Sequence, residues 1–314
     1  FKQKTAYEIY QCDWSSDVCS SDLVRGGLLL GAGALAVLLA SAVPSDAGTE
    51  ALQTLAPHRA VYEMAIGKRL DASEVMTVEG RLVYEFTGSK CEGWTSRFRL
   101  VTRLNVAVPG PGDKAEGVSR LTDLRTTAFE DAEGKSFDFL NQNLVDERMV
   151  EDSKGVATHG DGRTTVRLDR PAPKSFDLPA TVKFPTEHLA AIVGAAMAGQ
   201  TFTEIDLFDG SETGEKVYHT TVVIGREQTG PDDFSDEPAA KAAGALLEGK
   251  RRWPVEVSYF DPQRKALGEP TPDYQMSFLL YENGVSRKMK LDYGEFSLVG
   301  TLSSLEAMPA AACK

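Results

Sequence analysis

A period of two in the apolar residues restricts this chain more than any other feature. In Met76–Phe86, Met76, Val78, Leu82, Tyr84 and Phe86 fall on one face, with Thr77, Glu79, Arg81 and Glu85 on the other. Residues 98–108 repeat the pattern, setting Phe98, Leu100, Leu104 and Val106 against Arg97, Arg99 and Arg103. Successive strand side chains point to opposite faces of a sheet, so such segments read as half-buried β-strands. Tyr218–Ile224, Val255–Phe260, Tyr274–Tyr281 and Phe296–Leu302 are further strands by the same rule. The expected fold is mainly β and antiparallel, with few helices.

Turn chemistry agrees. Asn283-Gly284 lies between two strand-like runs, and Asn-Gly suits the positive φ angles of a type I′ hairpin. Glu133-Gly134, Asp161-Gly162 and Asp209-Gly210 mark other turns. One helix is expected over 187–198, with Thr186 as N-cap, Glu187 on the positive helix end and Gly199 as the stop. Its stripe of Leu189, Ile192, Val193, Ala196 and Met197 follows helical spacing and is expected to pack on the sheet. Residues 229–249, an acidic run followed by an Ala-rich stretch, read as a mobile surface loop leading into a short helix.

The N-terminal region reads differently from the rest. Residues 1–23 resemble a translated sequencing-adapter artefact and are set aside. Residues 24–47 have the anatomy of a cleaved signal peptide. Arg25 precedes the uncharged run Leu28–Val43, and small residues follow at Ala40-Ser41-Ala42 and Ser45-Asp46-Ala47. The rival reading is a retained membrane anchor, for which the run is near the lower length limit. A single β domain is then expected over 48–314.

Setting residues 1–47 aside removes three basic and five acidic residues, so the net charge moves from −12 to −10. An acidic protein repels phosphate backbones, which argues against a nucleic-acid partner. The same step removes Cys12 and Cys19 and leaves Cys91 and Cys313. An even pair in an exported chain is expected to form a disulfide; free thiols or pairing between chains are the alternatives.

Catalytic and metal motifs are missing. The four histidines, His58, His159, His188 and His219, belong to no H-E-x-x-H or Cys-His cluster. His188 and His219 read as packing residues rather than ligands. Nucleophile elbows, S-x-x-K and phosphate loops are absent, and Asp209-Gly210-Ser211 reads as a tight turn. Neither a catalytic residue nor a cofactor is expected. The remaining site formers are aromatic. Tyr84, Trp94, Phe98, Trp253, Tyr259, Tyr274 and Phe278 lie mostly on strands. They line an apolar ligand site on the concave face of the sheet or simply fill its core.

Several segments together carry a family resemblance. They are Pro57–Tyr62, Cys91-Glu92-Gly93-Trp94, Phe184–Leu189, Asp209-Gly210-Ser211, Arg252-Trp253-Pro254-Val255, Leu280–Ser286 and Leu291–Phe296. In order and spacing they resemble the EipB family of periplasmic cell-envelope integrity proteins, over residues 52–313. The resemblance implies a monomeric spiral of antiparallel strands, open and barrel-like, with packed helices and a Cys91–Cys313 disulfide. It implies a periplasmic, non-enzymatic role in envelope integrity under stress, acting through protein contacts. It also implies a periplasmic partner built from tetratricopeptide repeats. The alternative function is a carrier of a lipid or other apolar ligand.

Overall fold

The chain threads through one sheet that starts and finishes in its own middle. The computed structural model describes residues 51–52, 54–109, 115–264, 269–310 and 313, all within a compact unit of Ser45–Lys314. The segments expected to be artefactual sequence and signal peptide lie outside the described residues. Eight strands come first: β1 (His58–Arg69), β2 (Val75–Ser89), β3 (Gly93–Pro109), β4 (Ala115–Glu130), β5 (Ser136–Val145), β6 (Arg148–Gly160), β7 (Arg163–Arg170) and β8 (Lys174–Pro179). Helix α1 (Pro185–Met197) leads to β9 (Phe202–Leu207) and β10 (Tyr218–Ile224). Two short helices, α2 (Pro238–Ala242) and α3 (Gly244–Leu247), precede β11 (Arg252–Phe260), β12 (Tyr274–Tyr281), β13 (Ser286–Asp292) and β14 (Phe296–Ala307).

Across the sheet the order is β8-β7-β6-β5-β4-β3-β2-β1-β14-β13-β12-β11-β10-β9. Two meanders therefore meet. One walks outward from β1 to β8, the other walks back from β9 to β14, and β1 pairs antiparallel with β14 where they join. Neighbouring strands are joined mostly by short turns, the connection that antiparallel pairing allows. The fold is thus the expected one: a large, open antiparallel sheet with few helices. Cys91 and Cys313 form a disulfide, with Cα atoms 5.5 Å apart, that ties the β2–β3 turn to the residues after β14.

The alternating faces fall as the pattern requires. Val78, Leu82 and Phe86 of β2 and Leu100 and Leu104 of β3 are buried, while Arg97, Arg99 and Arg103 are exposed. Met76 is the exception, exposed beside buried Val75 and Val78. A register shift between Val75 and Thr77 turns it outward, since one extra residue reverses every side chain beyond it.

Helix α1 bridges the sheet's two terminal strands and corrects the expected cap. Phe184, not Thr186, is the N-cap residue, and Pro185 opens the first turn. Glu187 reaches back to accept the Phe184 N–H at 3.1 Å. Burial extends beyond one stripe, taking in Thr186, His188, Ala190 and every residue from Ile192 to Ala196. The chain just before α1 runs along the β9 edge, with Lys183 N–H donating to the Asp206 carbonyl at 2.7 Å. That contact covers part of an edge that would otherwise expose unpaired backbone groups.

Two turns differ from expectation. Gly284 has φ +82°, but Asn283 does not share a positive φ, so the β12–β13 turn is not type I′. Asn283 is instead a buried junction. Its side chain donates to the Leu246 carbonyl at 2.8 Å, and its own carbonyl accepts the Ala56 N–H at 2.9 Å. The left-handed two-residue hairpin lies between β5 and β6, at Asp146 (φ +48°) and Glu147 (φ +65°).

The hydrophobic residues divide into distinct clusters. One gathers Tyr62, Leu82, Leu100, Leu291 and Leu302 with Ala240, Leu246 and Leu247 from the α2–α3 region. Another sets Phe137 and Phe139 of β5 against Phe184 and Phe208 beside α1. Within it Phe137 stacks on Phe184 with ring centres 5.1 Å apart, and Phe208 meets Phe139 edge-on at 5.6 Å.

Candidate functional site

An open groove of about 810 Å³ lies beside the acidic segment that follows β10. Val223 and Gly225 line it from β10 and its exit. Pro254, Val255 and Glu256 come from β11, Ser277, Phe278 and Leu279 from β12, and Gln228, Thr229, Pro231, Asp232 and Asp233 from the segment, with Arg252 and Lys288 completing it. In β11, Arg252, Pro254 and Glu256 alternate with buried Trp253, Val255 and Val257. The strand thus offers Pro254 and Glu256 to the groove as its exposed residues, and the buried Val255 lines it as well.

The segment beside the groove is firmly anchored, in contrast to the mobile loop expected over 229–249. Arg287 of β13 is fully buried. Its guanidinium donates to Asp232 and Glu237, each at 2.8 Å, to the Tyr281 hydroxyl at 2.9 Å and to the Asp233 carbonyl at 3.1 Å. The Tyr281 hydroxyl also donates to Asp232, and the Phe234 ring lies 4.6 Å from the guanidinium carbon. Arg252 donates to the carbonyls of Gly230 and Pro231. Burial, with the neighbouring Asp232 carboxylate, raises the Tyr281 pKa, which keeps the hydroxyl protonated as a donor. Nothing local in the acidic run identifies Arg287 as its counter-ion, because that residue lies about fifty positions downstream.

A second polar cluster sits at the start of α1. Glu130, at the end of β4, accepts the N–H groups of Thr186 at 2.6 Å and Glu187 at 3.3 Å. Burial pushes its pKa up to about 7 despite those bonds. His159 links Thr164 at 2.7 Å to Glu187 at 3.1 Å and stacks on Phe184 at 4.2 Å. Thr164, His159 and Glu187 thus stand in the order of a nucleophile, base and orienting carboxylate. Thr164 is fully buried, so no substrate reaches its hydroxyl in this arrangement.

The other histidines are also structural. His188 is a packing residue, as expected, bonded to Thr220 at 2.9 Å and held by burial to a pKa of about 4. His219 is not; it points outward and meets Asp206 at 2.9 Å. The Ser211 hydroxyl is buried beside Asp209, whose carboxylate accepts the Ser211 N–H at 2.9 Å, the geometry of a tight turn. Among the described residues no group of three His, Cys, Asp or Glu side chains is placed to hold a metal ion.

The aromatic residues given either to an apolar site or to the core fall into separate places. Trp94 stacks on Phe86 at 4.7 Å, next to Tyr84, whose cross-strand partner is Phe98. Tyr259 and Tyr274 stack at 4.3 Å, with Tyr218 edge-on to both. Trp253 is buried under the Arg251 guanidinium at 4.9 Å, and Phe278 alone reaches the groove. Cross-strand neighbours on one face stand close enough to stack, so these rings pack largely against one another.

Comparison with known proteins places this geometry in a family. Residues 49–309 match the EipB-like family model. The chain is 41% identical over 252 residues to the cell envelope integrity protein EipB of Brucella abortus, covering 80% of this chain and 84% of that protein. A crystal structure from Brucella abortus, described as a beta-barrel-like protein of a domain of unknown function, superposes with a TM-score of 0.69 at 40% identity. That match covers 81% of this chain and 99% of the other. The chain belongs to the EipB-like family.

Proposed function

We propose that this protein maintains cell-envelope integrity from the periplasm, by binding other proteins rather than by catalysis. The observation that carries the reading is the 41% identity, across most of both chains, to a relative named for that role. The mixed charged and apolar groove supports contact with a polypeptide. The disulfide suits an oxidising compartment. A partner of tetratricopeptide repeats, implied by the family resemblance, is part of the proposal.

Removing the gene from its host should make cells sensitive to membrane-active detergent. The exported chain should restore resistance, and the same chain confined to the cytoplasm should not. Crosslinking in intact cells should then join it to an envelope protein. Undiminished detergent survival would remove the envelope role. Rescue without any crosslinked protein, together with lipid retained in native mass spectrometry, would move the reading to a carrier.

A further inference from the structure

The central sheet parts between β13 and β14. The two strands pair over four residues only, from Met289 opposite Gly300 to Asp292 opposite Ser297. Past Met289 the ladder ends, although β13 reaches back to Ser286 and β14 runs on to Ala307. Each strand keeps its other neighbour there. Arg287 stays opposite Leu279 of β12, and Leu302 stays opposite Tyr62 of β1. Lys288, at the point of parting, takes a left-handed φ of +54°, a conformation costly for a residue with a side chain.

One carboxylate fills the opening. Glu237 Oε1 accepts the Lys288 N–H at 3.3 Å from one side and the Leu302 N–H at 2.9 Å from the other. Its Oε2 accepts Arg287 Nε at 2.8 Å. The Tyr62 hydroxyl of β1 adds a strand-to-strand bond at the opening, donating to the Ser286 carbonyl at 2.7 Å. Behind Glu237, α2 packs along β14, while Ala240, Leu246 and Leu247 join residues from both sides of the parting in one cluster.

We propose that β13–β14 is a hinge and that the segment from Asp232 to Leu247 is its lock. Released, it lets β9–β13 move against β14 and β1–β8; seated, it holds the two halves together. Three features suit a lock better than ordinary core. A continued ladder would close the sheet with neutral backbone bonds, whereas here closure runs through a desolvated ion pair, favourable only when every partner is in place. Helices α2 and α3 have five and four residues, too few to persist without their anchors, so the segment folds only when seated. The anchors also converge on Glu237 and Arg287, so the contacts are lost together rather than one by one.

Residue-resolved amide hydrogen exchange on the protein tests this. Glu237→Ala should speed exchange at Lys288 and Leu302 about tenfold or more while β5–β7 stay within about twofold of wild type. Glu237→Gln keeps an oxygen for both N–H groups but loses the charge opposite Arg287, and should fall between; it is also the variant to read if the alanine form does not fold. Val166→Ala, buried in the far arm, should lower the melting temperature without the local change at Lys288 and Leu302. Unchanged exchange at those two amides in Glu237→Ala would overturn the lock. So would a rise equal across β5–β7, since that reports global unfolding.

Discussion

Glu130 and Glu237 are both almost wholly buried, at 3% and 2% exposure, and each accepts two backbone N–H groups. Their surroundings differ in one respect. Glu237 also faces the buried guanidinium of Arg287, which carries the opposite charge into the same cavity. The carboxyl of Glu130 meets the positive end of α1, while the neighbouring Glu187 carboxylate opposes its charge. The first glutamate is pushed toward the neutral form; the second is part of a closed ionic network. The lesson concerns partners more than depth. A desolvated carboxylate tends to give up its charge unless a full countercharge is buried with it.

The largest test of that contrast removes the countercharge. Arg287→Met should cost about 3–5 kcal/mol in urea denaturation, because Glu237 is then buried without its cation and Asp232 keeps only Arg252, at 3.7 Å. A loss below about 1 kcal/mol, the range of an exposed pair, would show that water enters the site and that the contrast with Glu130 is not real.

The disulfide lies on the Glu130 side, since Cys91 precedes β3 and Trp94 of β3 pairs with Glu130. Cys91→Ser should lower stability in oxidising buffer by about 2–4 kcal/mol, the typical worth of such a bridge. Hydrogen exchange should rise first in β2–β4 and not at the β13–β14 opening. An equal rise at both places would mean that the two regions unfold as one unit.

The smallest effect is the most specific. A carboxyl with a raised folded pKa holds its proton more tightly when folded than when unfolded. Its stabilising contribution is complete below the ordinary value of 4.5 and is lost as the pH climbs through about 7. Wild type should therefore lose on the order of 2–3 kcal/mol relative to Glu130→Gln between pH 4.5 and 8. His188 acts in the opposite sense, costing stability as the pH falls from 6.5 toward 4. Both proteins contain it, so it cancels in the difference. A pH-independent difference would place the Glu130 carboxyl in contact with water.

Much of the fold was legible from local pattern. Tyr218–Ile224 and Tyr274–Tyr281 are strands over the residues that alternation marks, and α1 begins two residues before its expected start and ends one before its expected end. Strand period and helix spacing act over a few residues, so the chain carries them openly. The misses needed distant partners. Met76 was set on the buried face because a bulge leaves no mark in composition. Asn283 reads as half of a type I′ turn, but contacts from Ala56 and Leu246 hold it. The Asp146–Glu147 hairpin has neither Asn nor Gly, so turn chemistry passed over it. The seven aromatic residues were open to either role, lining a site or filling the core, and of them Phe278 borders the groove.

By itself, then, the sequence determined a strand-rich antiparallel chain, the two cysteines available to each other after the first 47 residues, and the absence of familiar catalytic motifs. Those are properties of short windows and of counting. The tertiary structure alone decided that the sheet parts at β13–β14, that Glu237 spans the opening, and that Glu130 sits uncompensated at the head of α1. Each of those depends on which groups are shut away from water together, and the residues that meet there lie about fifty or more positions apart along the chain.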